Sequence, residues 1–285
     1  EIKVANVKRL PELSERDAPT EIKAIYDEIR ACCRVPLVAL IYRHLATQNG
    51  VLEWGWRALA PVMRSGVLSD AAEKLTSVPL AAELPLLTRE KALALALKPM
   101  DRAAISYIVA AYNTANPHNI IAVRVLMLLL ASEEAGGQCS GDSGKPTPLA
   151  KFPGMPSLVE LEEMPPALAE LILRLRIGSD NGSRKIVPTL YRHLAHWPDY
   201  MMDQANALIP LFQGGEIEEA ATRIAAIADS NALRLGKELT INDLPGGRPT
   251  GATREQLLVT LADFAATIPE MIAVGRLMAA ALPRN

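Results

Sequence analysis

Two amide side chains and an imidazole flank a proline inside an apolar, helix-like stretch: Asn116, Pro117, His118 and Asn119. A proline removes a ladder hydrogen bond and pushes the residue before it out of the helical region. The helix that carries Ile105, Ile108, Val109 and Tyr112 is therefore expected to break here. A break in apolar surroundings leaves backbone groups unpaired beside the amides, and buried amides need partners. A bound polar ligand is one source of partners. A kink capped by its own asparagines is the other.

A second set of candidate residues occurs twice. Ile41–Ala46 reads I-Y-R-H-L-A and Leu190–Ala195 reads L-Y-R-H-L-A. The equivalent His44 and His193 could converge near a pseudo-two-fold axis, or each could pack within its own helix pair. Arg43/Arg192 and Tyr42/Tyr191 repeat with them, which favours a scaffold role. Trp54, Trp56 and Trp197 read as core or rim packing. Glu160/Glu163 and Asp17/Asp27 read as solvated surface carboxylates. Gly-rich phosphate loops, paired zinc-binding histidines and nucleophile elbows are absent from the sequence. The four histidines and three cysteines show no ligand spacing, so a metal site is not expected. Cys32-Cys33 and Cys139 read as reduced thiols in a cytoplasmic protein.

The elements that must position these residues follow from the repeat. At the spacing of the Y-R-H-L-A copies, Pro61 falls on Pro210, Gly66 on Gly215 and Ala71-Ala72 on Ala220-Ala221. Further on, Ile121-Ala122-Val123 matches Ile272-Ala273-Val274, and Leu126-Met127 matches Leu277-Met278. The expected organisation is one helical unit duplicated: residues 1–134, a linker at 135–156 rich in Gly, Ser and Pro, and a second unit at 157–285. The period is too long for a solenoid, so two tandem-repeat halves packed as a pseudo-two-fold dimer are expected.

Apolar positions recur with helical period, as at Ile22, Ile25, Tyr26 and Ile29, and no alternating strand pattern appears. The fold class is all-α. Thr20 is expected to open the first helix, Pro36 the helix through the first Y-R-H-L-A, and Ser69 and Asp101 to cap later ones. A helix is expected over Ala167–Ile177, turns at Gly178–Ser183 and Leu239–Gly251, and a capping box at Thr253 and Gln256.

Net charge is −2 and aromatics are 4% of the 285 residues, which argues against nucleic acid as a partner. The longest apolar run, Ile120–Ala131, is too short to span a bilayer and carries Arg124. The charged start of the chain does not resemble a signal peptide.

Taken together, Y-D-E-I-R…R-V-P-L-V-A-L…L-A-T (Tyr26–Thr47), A-Y-N-T-A-N-P (Ala111–Pro117) and P-T-L-Y-R-H-L-A-H-W-P (Pro188–Pro198) resemble the group I 2-haloacid dehalogenases over essentially the whole chain. The resemblance implies an all-α fold of two related halves with a buried site between them. It also implies hydrolysis without metal or cofactor: an aspartate activates a water that displaces halide from the α-carbon and inverts it.

Carried over residue by residue, that site is altered. The asparagine of the family's N-P turn matches Asn116, and a tyrosine three residues later becomes Asn119. An aromatic pair becomes Leu37 and Leu40. The A-S-D triplet falls, without gaps, on Pro188-Thr189-Leu190, so a leucine stands where the family keeps its base. Leucine can neither accept a proton nor orient a water, a role typically worth ~10²–10⁴-fold. A roughly ten-residue insertion could instead bring Asp180, in G-S-D, to the base position.

Two expectations follow. The first is a homologue that binds a small organic acid in an apolar pocket lined by Asn116, Asn119, Leu37, Leu40, Thr189 and Leu190, with aspartate-driven hydrolysis lost. The alternative is a working hydrolase of carbon–halide bonds using Asp180 or another carboxylate. The small molecule is the expected partner, without nucleic acid or membrane. The internal pair of halves can satisfy the interface, or the chain can form a homodimer.

Overall fold

The computed structural model describes residues 10–132, 152–177, 186–238 and 247–283. These residues form eleven α-helices and one short 3₁₀ turn, Leu161–Glu163, and none of them is in a strand. The helices are α1 Thr20–Cys33, α2 Leu40–Leu45, α3 Val51–Arg64, α4 Val67–Leu75, α5 Arg89–Ala94 and α6 Pro99–Ala131. Further along come α7 Pro166–Ile177, α8 Thr189–Leu194, α9 Pro198–Gln213, α10 Glu216–Glu238 and α11 Gly251–Ala281. The order medium, short, medium, variable, long runs through each group, and α5 is the extra element of the first. The two copies of Y-R-H-L-A occupy α2 and α8.

Two long apolar helices form the centre. Helices α6 and α11 pack on each other, and α10 lies against both. By length and composition alone both could cross a bilayer, but 72% of each apolar window is buried by the rest of the protein. The continuous run is thus longer than Ile120–Ala131 suggests, and it serves as core.

Helix α6 is not broken at Asn116-Pro117, contrary to expectation; Pro117 sits inside it. An interior proline costs about 3 kcal/mol. Burying each large aliphatic side chain contributes roughly 1.5–3 kcal/mol. Ile105, Ile108, Ile120, Ile121 and Leu126 are all at most 1% exposed, so packing on both sides of the proline outweighs its cost. His118 follows the same logic locally. Its Nδ1–H donates to the Thr114 carbonyl (2.8 Å), and its Nε2 accepts from the Ser69 hydroxyl (3.0 Å).

Several helix starts also differ. Helix α2 begins at Leu40 rather than Pro36, with Ala39 as its extended cap. Helix α4 begins after Gly66 (φ 83°), which leaves Ser69 inside the helix to serve His118. The repeat partner Gly215 (φ 88°) precedes α10 in the same left-handed conformation, which glycine adopts without a Cβ penalty. Asp101 is the third residue of α6, and its carboxylate accepts from Lys98 N (2.8 Å). Thr250 rather than Thr253 precedes α11, and no side-chain bond caps that end. Of the other expected turns, 178–185 and 239–246 lie outside the described residues, as does 133–151 of the expected linker. The linker's final part is tied down: Tyr107 Oη donates to the Pro153 carbonyl at 3.0 Å.

Candidate functional site

Four helices and two extended segments surround a cavity of about 50 Å³. Roughly 10–15 Å³ on this measure holds one water, so the space suits a molecule of a few heavy atoms. Leu37 and Leu40 enter from the segment before α2 and from its first residue. Asn116 and Asn119 come from α6, and Thr189 and Leu190 from the start of α8. All six residues that gapless comparison assigned to the site therefore line one wall set. Neither asparagine amide has a hydrogen-bond partner among the described residues, which leaves them to whatever fills the cavity.

The sequence reading missed Tyr112 from α6, and Phe264, Thr267, Ile268 and Met271 from α11. A signal existed for both groups. Tyr112, Asn116 and Asn119 stand at i, i+4 and i+7, and Phe264, Thr267, Ile268 and Met271 at i, i+3, i+4 and i+7, each one helix face. No Asp or Glu is among the described lining residues. Asp180 lies outside the described residues. Glu270, beside Met271 in sequence, is only 7% exposed, and its charge helps to raise the Tyr191 hydroxyl, after burial.

Beside the cavity lies a larger open groove of about 900 Å³, which shares Leu37 with it. Glu12 in the groove receives Arg43 Nε at 2.7 Å and Arg192 Nη1 at 3.1 Å. Burial works to raise the Glu12 pKa, but attraction and hydrogen bonds from Arg43 and Arg192 hold it below the usual range. Arg192 also pairs with Glu160, so that carboxylate is not simply solvated. Asp27 likewise pairs with Arg30 and Asp17 with Ser14 and Arg16.

His193 lines the groove and reaches back to the cavity. Its Nε2 lies 3.0 Å from the Pro156 carbonyl, and its Nδ1 lies 2.8 Å from Tyr112 Oη. It therefore does more than pack in its own helix pair, whereas His44 makes a backbone contact, Nδ1 to Pro11 O at 2.8 Å. Burial pushes His193 down to about 4 and Tyr112 up to about 12. Trp54 and Trp56 are buried, and Trp56 donates to Glu28 at 2.7 Å. Cys32 and Cys33 are both buried. Among the described residues no cluster of three His, Cys, Asp or Glu could hold a metal ion.

No family model matches the sequence. A curated relative, a configuration-inverting 2-haloacid dehalogenase of Alcaligenes xylosoxydans xylosoxydans, is 25% identical over 260 residues, covering 90% of this chain and 84% of the relative. Among solved structures, a D-2-haloacid dehalogenase in complex with L-LA superimposes with a TM-score of 0.77 at 16% identity, over 96% of each chain. A mutant D-2-haloacid dehalogenase with D-2-CPA gives 0.72 at 15% identity, over 94% of this chain and 95% of the other. With helices alone in its described parts and likeness running nearly end to end, the chain is similar in sequence to a 2-haloacid dehalogenase and shares the fold of the D-2-haloacid dehalogenases.

Proposed function

We propose that this chain binds a small organic acid in the cavity between α2, α6, α8 and α11, and that it has lost the family's aspartate-driven hydrolysis. One observation carries the reading: the cavity wall holds two unpartnered asparagine amides and Leu190, and no carboxylate among its described residues. The amide N–H groups of Asn116 and Asn119 can donate to a carboxylate, while Leu37, Leu40, Ile268 and Met271 take the short hydrocarbon part. On this reading the two halves are copies of one unit facing each other across the cavity. The protein acts in the cytoplasm on small molecules, without cofactor or metal and without nucleic acid or membrane. Self-association as a homodimer is left to sedimentation.

The test is incubation with each enantiomer of 2-chloropropionate, following thermal shift and halide release together. The expected result is stabilisation without halide, with the shift reduced in Asn116→Ala and the unliganded melting point little changed. The second reading, a working hydrolase, is favoured by the buried Glu270 on α11 and by the activity of the curated relative. Halide release that vanishes in Asp180→Asn or in Glu270→Gln would replace the first reading with the second.

A further inference from the structure

A carbonyl oxygen can only accept a hydrogen bond, so the contact of His193 Nε2 with the Pro156 carbonyl places a proton on Nε2. In the neutral ring, Nδ1 then carries a lone pair. The 2.8 Å contact with Tyr112 Oη must therefore run from the tyrosine hydroxyl to the imidazole. Burial, followed by the nearby charges of Arg43, His196 and Arg192, opposes protonation of this ring and keeps it neutral near pH 7. Tyr112 has thus already used its only hydrogen. Thr189 lines the same cavity as Tyr112. What Tyr112 can still offer an occupant is acceptor capacity alone.

We infer that Tyr112, held by His193, is a specificity-determining residue that requires the bound acid to bring its own hydroxyl. This rests on the small-acid reading of the cavity and narrows it to short hydroxy acids. A hydroxyl near the carboxylate can donate to Tyr112 Oη while the carboxylate meets the Asn116 and Asn119 amides. A hydrogen or a halogen at that carbon has nothing to donate, and leaves the Tyr112 oxygen with one acceptor site unmet. His193 touches no ligand in this scheme and acts by orienting Tyr112.

The experiment measures binding of lactate and of propionate, which differ in that one hydroxyl, by calorimetry on the wild-type chain and on Tyr112→Phe. One added hydrogen bond is worth about tenfold in affinity, so lactate should bind about tenfold tighter than propionate. The ratio should fall to about one in Tyr112→Phe. Equal wild-type affinities, or a ratio that survives in Tyr112→Phe, would overturn the inference and leave the small-acid site standing. Binding of neither acid would overturn both. The unaltered protein supplies a check that needs no variant: long-range ¹H–¹⁵N spectra should show His193 as the Nε2–H tautomer, and an Nδ1–H ring would sink the proposal.

Discussion

Helices α2 and α8 carry the same Y-R-H-L core in different surroundings. In both, the tyrosine (Tyr42, Tyr191) is buried with a hydroxyl that finds no hydrogen-bond partner among the described residues. In both, the arginine turns to Glu12. The histidines part company. His44 gives its Nδ1 proton to a backbone carbonyl, while His193 gives up an Nε2 proton and so keeps Nδ1 as an acceptor for Tyr112. Identical residues thus end in opposite tautomers, because one faces only backbone and the other faces a phenol from α6. A repeated motif specifies the shared packing, and the neighbours specify the chemistry.

The cavity walls differ in the same manner. Helix α6 contributes Tyr112, Asn116 and Asn119, whereas α11 contributes Phe264, Thr267, Ile268 and Met271. Of these two helices, α6 supplies three hydrogen-bonding side chains, whereas α11 supplies one, Thr267, and otherwise hydrocarbon.

The shared feature is broken most severely at Glu12. Glu12→Ala should cost on the order of 3–4 kcal/mol in denaturant unfolding, because Arg43 and Arg192 are 9% and 5% exposed and cannot recover water. A loss below 1 kcal/mol would show that the two arginines are not locked by it.

The divergent feature is sharpened by acid. The folded pKa of His193 lies near 4, below its ordinary 6.5, since burial disfavours the charged ring. The stability this contributes is complete above about pH 6.5 and is lost as pH falls toward 4, where the unfolded chain binds the proton first. The loss amounts to roughly 3 kcal/mol. His193→Asn should flatten that part of the stability profile, and an unchanged slope between pH 4 and 6.5 would refute the assignment.

A third break lies where α6 meets α11. Asn113 Nδ2 donates to the Gly275 carbonyl at 2.9 Å, and a Cβ at Gly275 would stand 2.2 Å from Asn113 Oδ1. Gly275→Ala should therefore lower the melting point by the equivalent of about 1–3 kcal/mol. The smallest effect is expected from Glu160→Gln. This carboxylate is 42% exposed and Arg192 keeps Glu12, so the change should stay under about 1 kcal/mol.

Much of this was legible from residue order. Helical period and the lack of alternating strand runs pointed to an all-α chain, and the family resemblance picked out Leu37, Leu40, Asn116, Asn119, Thr189 and Leu190, which line one cavity. The continuity of α6 was not legible, because a local rule about Pro117 was set against tertiary burial that only the assembled core supplies. Nor was Tyr112 singled out, since a tyrosine at helical spacing reads as core until His193 is seen beside it. The differing fates of His44 and His193 depend on Pro11 and on Tyr112, neither of which their own motif can specify.

The ion lock on Glu12 also orders events in time. Glu12 and Arg192 are 180 positions apart, while Arg43 is only 31 away. As the chain leaves the ribosome, Glu12 can latch onto α2 early, yet its second cation arrives only 180 positions after it. Until then a single arginine holds it, and that makes completion of α8 the step that fastens the Glu12 segment to the later helices.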